Sequence, residues 1–294
     1  MLLNLPIARE TGFTTQLTNV GSVNNKGVDF SLSTKNLIGV FRWNTDITLT
    51  TLNNKVIDIG GISNIVSGAG IIQPGFPLYS FYGYKVLGIW QQNDDFATAP
   101  SGTKPGDYKF LDVNTDKVVN TSDRTVLGNS FPKLLYSLTN NFAFKQFQLY
   151  VFVDGQQGVK MLNSNLVDTY FPANLKRNRL ADPLLNRWTT QNPSDKYPSF
   201  VNSITQRALS TNSSTVEDAS YLRLNTVKLS YSFRSNRGPF TNITVYGSGQ
   251  NLWTLTKYSG FDPSINPNDG TNLRVDWNAY PTARTFIAGL SINL

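Results

Sequence analysis

Hydrophobic residues alternate with polar or small residues in three pairs of segments along the chain. A short connection joins the two segments of each pair. A period of two predicts a β-strand with one apolar and one polar face, and two such strands joined closely predict a β-hairpin. The positions on the apolar faces are Val28, Phe30 and Leu32 with Trp43, Thr45, Ile47 and Leu49; Leu134, Tyr136, Leu138, Phe142 and Phe144 with Phe147, Leu149, Val151 and Val153; and Val227, Leu229, Tyr231 and Phe233 with Ile243, Val245, Gly247 and Gly249.

The final residues, TARTFIAGLSINL, alternate in the same way. An apolar edge strand invites aggregation in a soluble protein. In an outer-membrane barrel, by contrast, the last strand pairs with the first, so that no strand edge meets lipid. The pattern therefore favours an all-β fold, an antiparallel transmembrane β-barrel. The apolar face of this strand comprises Phe286, Ala288, Leu290, Ile292 and Leu294.

Aromatic residues flank each short connection, and this placement indicates the interfacial girdle of a membrane barrel. The opposite faces carry polar residues such as Asp46 and Asp154, as a wet lumen requires. Long connections at 91–132, 161–219 and 256–280 predict extracellular loops, and the short turns are then periplasmic. The flanking aromatics are Phe41, Trp43, Phe142, Phe144, Phe147, Tyr231, Phe233 and Phe240.

The direction of the chain limits the number of strands. If the last strand runs toward the periplasm, residues 55–132 must cross the membrane an even number of times. The run PLYSFYGYKVLGIW within them forms either one membrane hairpin or a hairpin outside the membrane. Residues 1–294 then supply about seven or nine strands, and an odd number indicates one segment of a larger barrel.

Composition supports a membrane barrel and argues against an enzyme. Charged residues make up 15% of the chain, and no run approaches the ~18 apolar residues of a membrane-spanning helix. The absence of cysteine and histidine excludes disulfides, Cys/His zinc sites and imidazole-based triads. Carboxylate catalysis stays open, but no carboxylate pair is spaced in a way that demands it. We expect no enzymatic activity and no required cofactor.

The net charge of +7 and the pI near 9.5 fit either an acidic ligand such as nucleic acid or anionic lipid headgroups and lipopolysaccharide. The basic residues form no stripe and no nucleic-acid motif occurs, which favours lipid. The N-terminal MLLNLPIARE has no basic leader region, and Pro6 and Arg9 interrupt its apolar run. We therefore expect the chain to be the C-terminal part of a longer polypeptide.

Six strings, in order, resemble the C-terminal part of the SusC/RagA family of TonB-dependent outer-membrane importers. They are NVGSVNNKGVDF (19–30), FYGYKVLGIW (81–90), PGDYKFLDVNTDKVVNTSDRTVLGNSFPK (105–133), EDASYLRLNTVKLSYSF (217–233), SGQNLWTLTKYSGFDPSIN (248–266) and the closing strand. The resemblance implies a plugged barrel of about 22 strands. It also implies an N-terminal plug and earlier strands, a SusD-like surface lipoprotein as lid, glycan or peptide as ligand, and energy from TonB–ExbB–ExbD through the plug.

One loop has the ligand spacing of an EF-hand calcium site. Oxygen-bearing side chains stand at loop positions 1, 3, 5, 9 and 12, which is typical of a structural Ca²⁺ site. Lys117 replaces the glycine at position 6, and the last ligand is Asp rather than Glu. The alternative is a turn held by hydrogen bonds of its own Asp and Asn side chains. The five residues are Asp112, Asn114, Asp116, Asn120 and Asp123.

Six aromatic residues in the long loops are candidates for contact with a ligand or the lid. Packing of loop against loop explains them equally well. Three arginines near the outer strand ends, Arg223, Arg274 and Arg284, favour lipid phosphate or solvent over a ligand carboxylate, and Asp46 and Asp154 could pair with cations of the plug. The six aromatics are Tyr170, Phe171, Trp188, Tyr197, Trp277 and Tyr280.

The leading interpretation is the barrel part of an active nutrient importer, integral to the outer membrane, with extracellular loops and a periplasmic C-terminus. Its alternative is a passive porin, or a structural or adhesive barrel, without energy coupling. A third possibility is a soluble carbohydrate-binding β-sandwich. That sandwich would bury Leu229, Phe286 and Leu290 in its core, whereas the barrel exposes them to lipid.

Overall fold

The computed structural model describes residues 2–8, 10, 12–171, 178, 180–200, 209–234, 242–265 and 273–293. The chain is mainly β-strand with two short helices, α1 (Ser164–Tyr170) and α2 (Ala181–Leu185). The strands are β1 (Leu2–Pro6), β2 (Thr15–Asn19), β3 (Ser22–Ile38), β4 (Phe41–Asp58), β5 (Ile65–Ser67), β6 (Gly70–Ile72), β7 (Ser80–Gly83), β8 (Val86–Ile89), β9 (Tyr108–Phe110), β10 (Thr125–Asn129), β11 (Leu134–Phe144), β12 (Phe147–Gln157), β13 (Lys160–Asn163), β14 (Val216–Asp218), β15 (Tyr221–Arg234), β16 (Asn242–Thr256), β17 (Val275–Asp276) and β18 (Thr285–Asn293).

Seven long strands form one sheet in the order β18-β16-β15-β12-β11-β4-β3. Every neighbouring pair is antiparallel, which confirms the three predicted hairpins, and the closing strand β18 pairs with β16. The turns β3–β4 and β11–β12 contain two residues each, and Lys145 adopts a φ of 52° in the second. Residues 55–132 add no strand to this sheet beyond the end of β4, so the count is seven.

One face of this sheet is apolar and uncovered. Phe286, Leu290 and Leu229 each expose more than half of their surface. This exposure agrees with the barrel and contradicts the third possibility, a soluble sandwich, because such a fold would bury these side chains. Leu294 lies outside the described residues.

Aromatic side chains form a band along the short-turn end of the apolar face. The ring centroids of Trp43 and Phe142 are 5.7 Å apart, and those of Phe147 and Tyr231 are 4.7 Å apart. In-register pairing across four strands places Phe41, Phe144, Phe147 and Tyr231 in one row, and Trp43 and Phe142 pair two residues further along the same face. This arrangement is typical of a membrane-interface girdle. Phe240, which the sequence also assigns to the band, lies outside the described residues.

The opposite face of the sheet carries hydrogen-bonded polar side chains. The Ser33 hydroxyl donates to Asp46 Oδ1 at 2.6 Å, and Asn225 Nδ2 donates to Asp154 Oδ1 at 2.9 Å. Both carboxylates thus have partners within the chain. The Nζ atom of Lys228 lies 4.2 Å from the ring centroid of Tyr246. A polar wall of this kind suits a water-filled lumen.

The buried core lies in the long connections and not in the seven-stranded sheet. Residues 55–132 build a four-stranded sheet, β10-β7-β6-β5, and the pair β8-β9. Strands β14, β13 and β17 form a third small sheet, and α1 follows β13 directly. We call these elements, with α2 and the described segments between them, the loop layer. Within the described chain, every helix is too short or too polar to span a bilayer.

Replacing Ile47 by Lys tests which face of the sheet meets lipid. Ile47 lies on the apolar face between Leu32 and Leu138. A lysine near the bilayer midplane costs about 2–4 kcal/mol of folding free energy. We expect I47K to lower the urea midpoint of the protein folded in lipid vesicles, where unfolding is measured by the heat-modifiable mobility of the folded barrel on a gel. Thr48→Lys, one residue away on the polar face, is the control and should shift the midpoint little; equal effects would contradict the assignment.

Candidate functional site: the loop layer

Aromatic residues from distant parts of the chain form the largest core cluster of the loop layer. The Tyr108 and Phe171 ring centroids are 5.5 Å apart, and those of Tyr170 and Tyr197 are 5.8 Å apart. Trp188 Nε1 donates to Gln91 Oε1 at 2.8 Å. Burial raises the pKa of Tyr108 and of Tyr170 well above the usual value, so both phenols stay neutral. The cluster makes the layer a packed unit.

Four of the six candidate aromatics belong to this cluster. Tyr170, Phe171, Trp188 and Tyr197 are buried in it, and Phe171 has no exposed surface. Their positions agree with the alternative that loop packs against loop. The Tyr197 hydroxyl also donates to Asp182, which ties residues 194–198 to α2.

The other two candidate aromatics, Trp277 and Tyr280, are exposed on the surface of the loop layer. Trp277 exposes 64% of its surface and Tyr280 exposes 92%. Both follow β17 in a segment that Asp276 anchors, since its Oδ1 accepts from the Ala279 N–H at 3.0 Å. The prediction of contact with ligand or lid now concerns these two residues.

Hydrogen bonds within the loop 112–123 occupy most of its carboxylate oxygens. Asp123 is fully buried, and its two oxygens accept from the N–H groups of Val113 and Asn120, each at 2.8 Å. Asp112 Oδ2 accepts from the Lys117 N–H, and Asp116 Oδ1 from the Val118 N–H, each at 2.8 Å. These bonds are those of a side-chain-held turn.

One oxygen of this loop is left without a partner. Asp112 Oδ1 is shielded from solvent and accepts no hydrogen bond. Lys117 adopts a φ of 63°, a backbone conformation that the glycine of an EF-hand loop would adopt without strain. The Lys117 Nζ atom donates to the Ala97 carbonyl at 3.4 Å. Across the ranges that the structure describes, no three acidic side chains are grouped to hold a metal ion. The Ca²⁺ site stays a prediction.

A buried ion pair connects the start of β15 to the loop layer. Arg223 Nη2 lies 2.6 Å from Asp262 Oδ1, and the two side chains expose 8% and 4% of their surface. Thr282 and Ser264 donate to the same carboxylate through their hydroxyl and N–H groups. The prediction that Arg223 contacts lipid or solvent is therefore wrong. Sequence reasoning missed Asp262, for which the only signal is its place before proline in a turn.

The environment of Asp262 keeps it ionised. Burial by itself raises the pKa of this carboxyl, but the hydrogen bonds from Thr282 and Ser264 and the Arg223 guanidinium outweigh burial and hold the pKa well below its usual value. Arg274 also lies within the loop layer, where its Nη1 is enclosed without a hydrogen bond, whereas Arg284 is exposed.

Comparison with known proteins shows the relationship of the chain. No protein-family model matches it. It is 31% identical over 316 residues to the TonB-dependent receptor P26 of Formosa agariphila, covering 99% of this chain and 31% of that protein. It is 24% identical over 312 residues to the TonB-dependent receptor SusC of Bacteroides thetaiotaomicron, covering 99% of this chain and 28% of SusC. The chain belongs to the SusC/RagA-like TonB-dependent receptors.

Solved structures share the fold of this receptor chain. It superposes on a structure of the RagAB peptide importer in the open-open state with a TM-score of 0.78 at 24% identity, covering the whole chain and 31% of that structure. The closed-closed state gives a TM-score of 0.77. The seven-stranded sheet is thus a segment of a larger barrel.

The chain spans about a third of the length of the curated relatives that it matches. TonB-dependent receptors are outer-membrane proteins. The named relatives are receptors, and the structural neighbour is a peptide importer.

Replacing Asp262 by Asn tests the buried ion pair. Removing one partner leaves the Arg223 charge buried alone, which costs about 3–5 kcal/mol. We expect hydrogen exchange of residues 257–264 and 279–284 in the full-length receptor to become at least tenfold faster, with β11 and β12 unchanged. An R223M/D262L double variant removes both charges and should restore much of the protection.

The low pKa of Asp262 also sets the pH dependence. Because the folded pKa is depressed, the stabilisation is present above the ordinary aspartate pKa and is lost as pH falls through the folded value. The exchange difference between wild type and D262N should therefore persist at neutral pH and shrink only below about pH 4. A difference that disappears between pH 6 and 8 would contradict this account.

Calorimetry tests the Ca²⁺ prediction. Full-length receptor stripped with a chelator is titrated with CaCl₂, and a D112N/D116N variant is the control. Saturable heat that the variant lacks would support a site, because both substitutions remove hard anionic ligands. Absence of saturable heat at millimolar Ca²⁺ would leave the loop as a turn held by its own side chains.

Proposed function

We propose that this chain forms part of the wall and outer loops of an active importer that carries a nutrient, glycan or peptide, across the outer membrane. The observation that best supports this proposal is that the seven-stranded sheet has two different faces. One face is apolar and uncovered, the other is polar, and a packed loop layer stands at one end. A SusC relative and the RagAB fold support the same conclusion.

Charge on the polar face supports a plug in the lumen. Lys35, Arg42 and Lys228 line a hollow of about 840 Å³ toward the short-turn end, and no carboxylate lines it. Within the described chain none of the three forms a salt bridge. A carboxylate-bearing surface would neutralise them. We assign that surface to the plug, which with the remaining barrel strands would connect the importer to TonB–ExbB–ExbD.

The loop layer supports an extracellular lid. Its aromatic core and buried ion pair hold it in one arrangement, and Trp277 and Tyr280 project from it. Exposed aromatic side chains are common anchors of protein interfaces. We therefore propose a SusD-like surface lipoprotein as the partner above the loops. In this orientation the loops are extracellular, the short turns and the C-terminus are periplasmic, and the apolar face meets lipid and lipopolysaccharide.

The experiment separates the importer from a passive porin or an adhesive barrel. The TonB-interacting segment of the full-length receptor is deleted in its native strain. Uptake of two fluorescent mixtures, a plant-glycan hydrolysate and a casein digest, is then measured. An importer should lose uptake of its cargo while surface binding of that cargo continues. Uptake that persists after the deletion would support a porin, and absence of uptake in the intact strain would support an adhesive barrel.

A further inference from the structure

A pocket of about 310 Å³ lies in the loop layer between α1, Asn178, Leu180 and the turn 259–261. This volume is within the range of small-ligand sites. The pocket lies on the long-loop side of the sheet, because β12 leads through β13 directly into α1. Its polar lining includes Asn163, Asn165, Asp168, Asn178 and Asn278.

Hydrogen bonds hold one wall of the pocket rigid. Asn163 Nδ2 donates to Glu217 Oε2 at 2.8 Å, and the Ser259 hydroxyl donates to the same oxygen at 2.8 Å. Asn163 Oδ1 accepts from the N–H groups of Asn165 and Leu166, which caps the start of α1. Two of the free N–H groups at the start of the helix are thus already satisfied by the chain itself.

The side-chain oxygen of Asn165 lacks a partner. Asn165 Oδ1 is shielded from solvent and accepts no hydrogen bond from the described residues. An acceptor buried in this way is unfavourable until it is paired with a donor. Because Asn165 lines the pocket, a ligand hydroxyl or N–H could supply the missing donor.

An aromatic ring lies at the edge of the pocket. Phe261 exposes 72% of its surface, although it lines the cavity. It follows Gly260, where a Cβ atom would come within 2.3 Å of the Tyr258 ring, so the turn that presents Phe261 requires glycine. Tyr258 is in turn fixed by donating to Asp276 Oδ2 at 2.7 Å. The ring offers an apolar face beside the amides.

The lining excludes some ligand classes. No lysine or arginine lines the pocket, and Asp168 is its one charged residue, so an anionic ligand would find no counter-ion. An extended peptide commonly binds by pairing with an open strand edge. Asn163 is the one lining residue in a strand, and its strand β13 already has β14 and β17 on its two sides. A compact neutral ligand with hydroxyl donors and an apolar face fits better.

We propose that this pocket binds one ring of a neutral oligosaccharide. A hydroxyl of the sugar donates to Asn165 Oδ1, and the apolar face of the ring packs on Phe261. This inference rests on the proposed import function and names the substrate class at the outer loops.

The test uses the full-length receptor purified with its lid lipoprotein. Calorimetry measures binding of four neutral hexasaccharides, built from α-glucose, β-glucose, β-mannose and β-xylose, and of one uncharged decapeptide. We expect saturable binding of at least one sugar. Asn165→Ala and Phe261→Ala should each weaken it about fivefold or more, the effect of one lost neutral hydrogen bond or ring contact. Phe261→Trp should stay within twofold of wild type.

Matched controls and a second readout separate recognition from folding. Asn64→Ala and Phe76→Ala replace exposed residues of the same types outside the pocket and should leave affinity unchanged. Hydrogen exchange of α1 should be the same in N165A and wild type, because Oδ1 holds no partner among the described residues. Faster exchange of α1 in N165A would mean a structural role and would overturn the assignment.

The outcomes distinguish this inference from the import function. Absence of binding by all four sugars, or equal binding by N165A, F261A and their controls, overturns the sugar site. Decapeptide binding that the same substitutions weaken would make the pocket a peptide site and would also overturn it. Neither result touches the TonB-dependent uptake experiment, which decides import independently.

Discussion

Antiparallel backbone pairing of seven long strands is the interaction on which the rest of the structure depends. In hydrocarbon an unpaired N–H or C=O group costs several kcal/mol, so each strand must be hydrogen-bonded along its length to its neighbours. Pairing also fixes the side chains, because one register places every second residue on the same face. Aromatic rings, aliphatic side chains and lumen-side polar groups are thereby sorted without a buried core between two layers.

Because the single sheet has no second layer to pack against, the buried core forms in the loops. The sheet exposes Phe286 and Leu290, whereas Phe171 and Tyr108 are buried above it. Loops rich in proline and asparagine pack around this aromatic cluster, and the Arg223–Asp262 pair fixes them to β15. A buried ion pair adds little net stability against an apolar substitute, but it specifies one arrangement because both charges need their partner. The loop layer can then present a preformed surface.

A preformed surface changes how the loops could contribute to capture of a ligand. Most loop aromatics are occupied in the core, so recognition must use the few groups that the core leaves free. Trp277 and Tyr280 are exposed on one segment, and the pocket around Asn165 and Phe261 is built on hydrogen-bonded walls. Rigid walls reduce the entropy cost of binding. A neutral ligand and a separate protein lid could therefore use different parts of one layer.

The sequence by itself determined the strands, their hairpins and the two faces of the sheet, because a period of two and a short turn are local properties. It left residues 55–132 undecided. In the tertiary structure, β7 and β8 have four residues each, too short for a membrane strand of about 9–11 residues, so this run joined the small sheets instead. Burial of Tyr170, Phe171, Trp188 and Tyr197, the partner of Arg223 and the unpaired oxygen of Asn165 were decided only by tertiary structure. Each depends on contacts between residues tens of positions apart, and local patterns carry no information about which distant groups will meet.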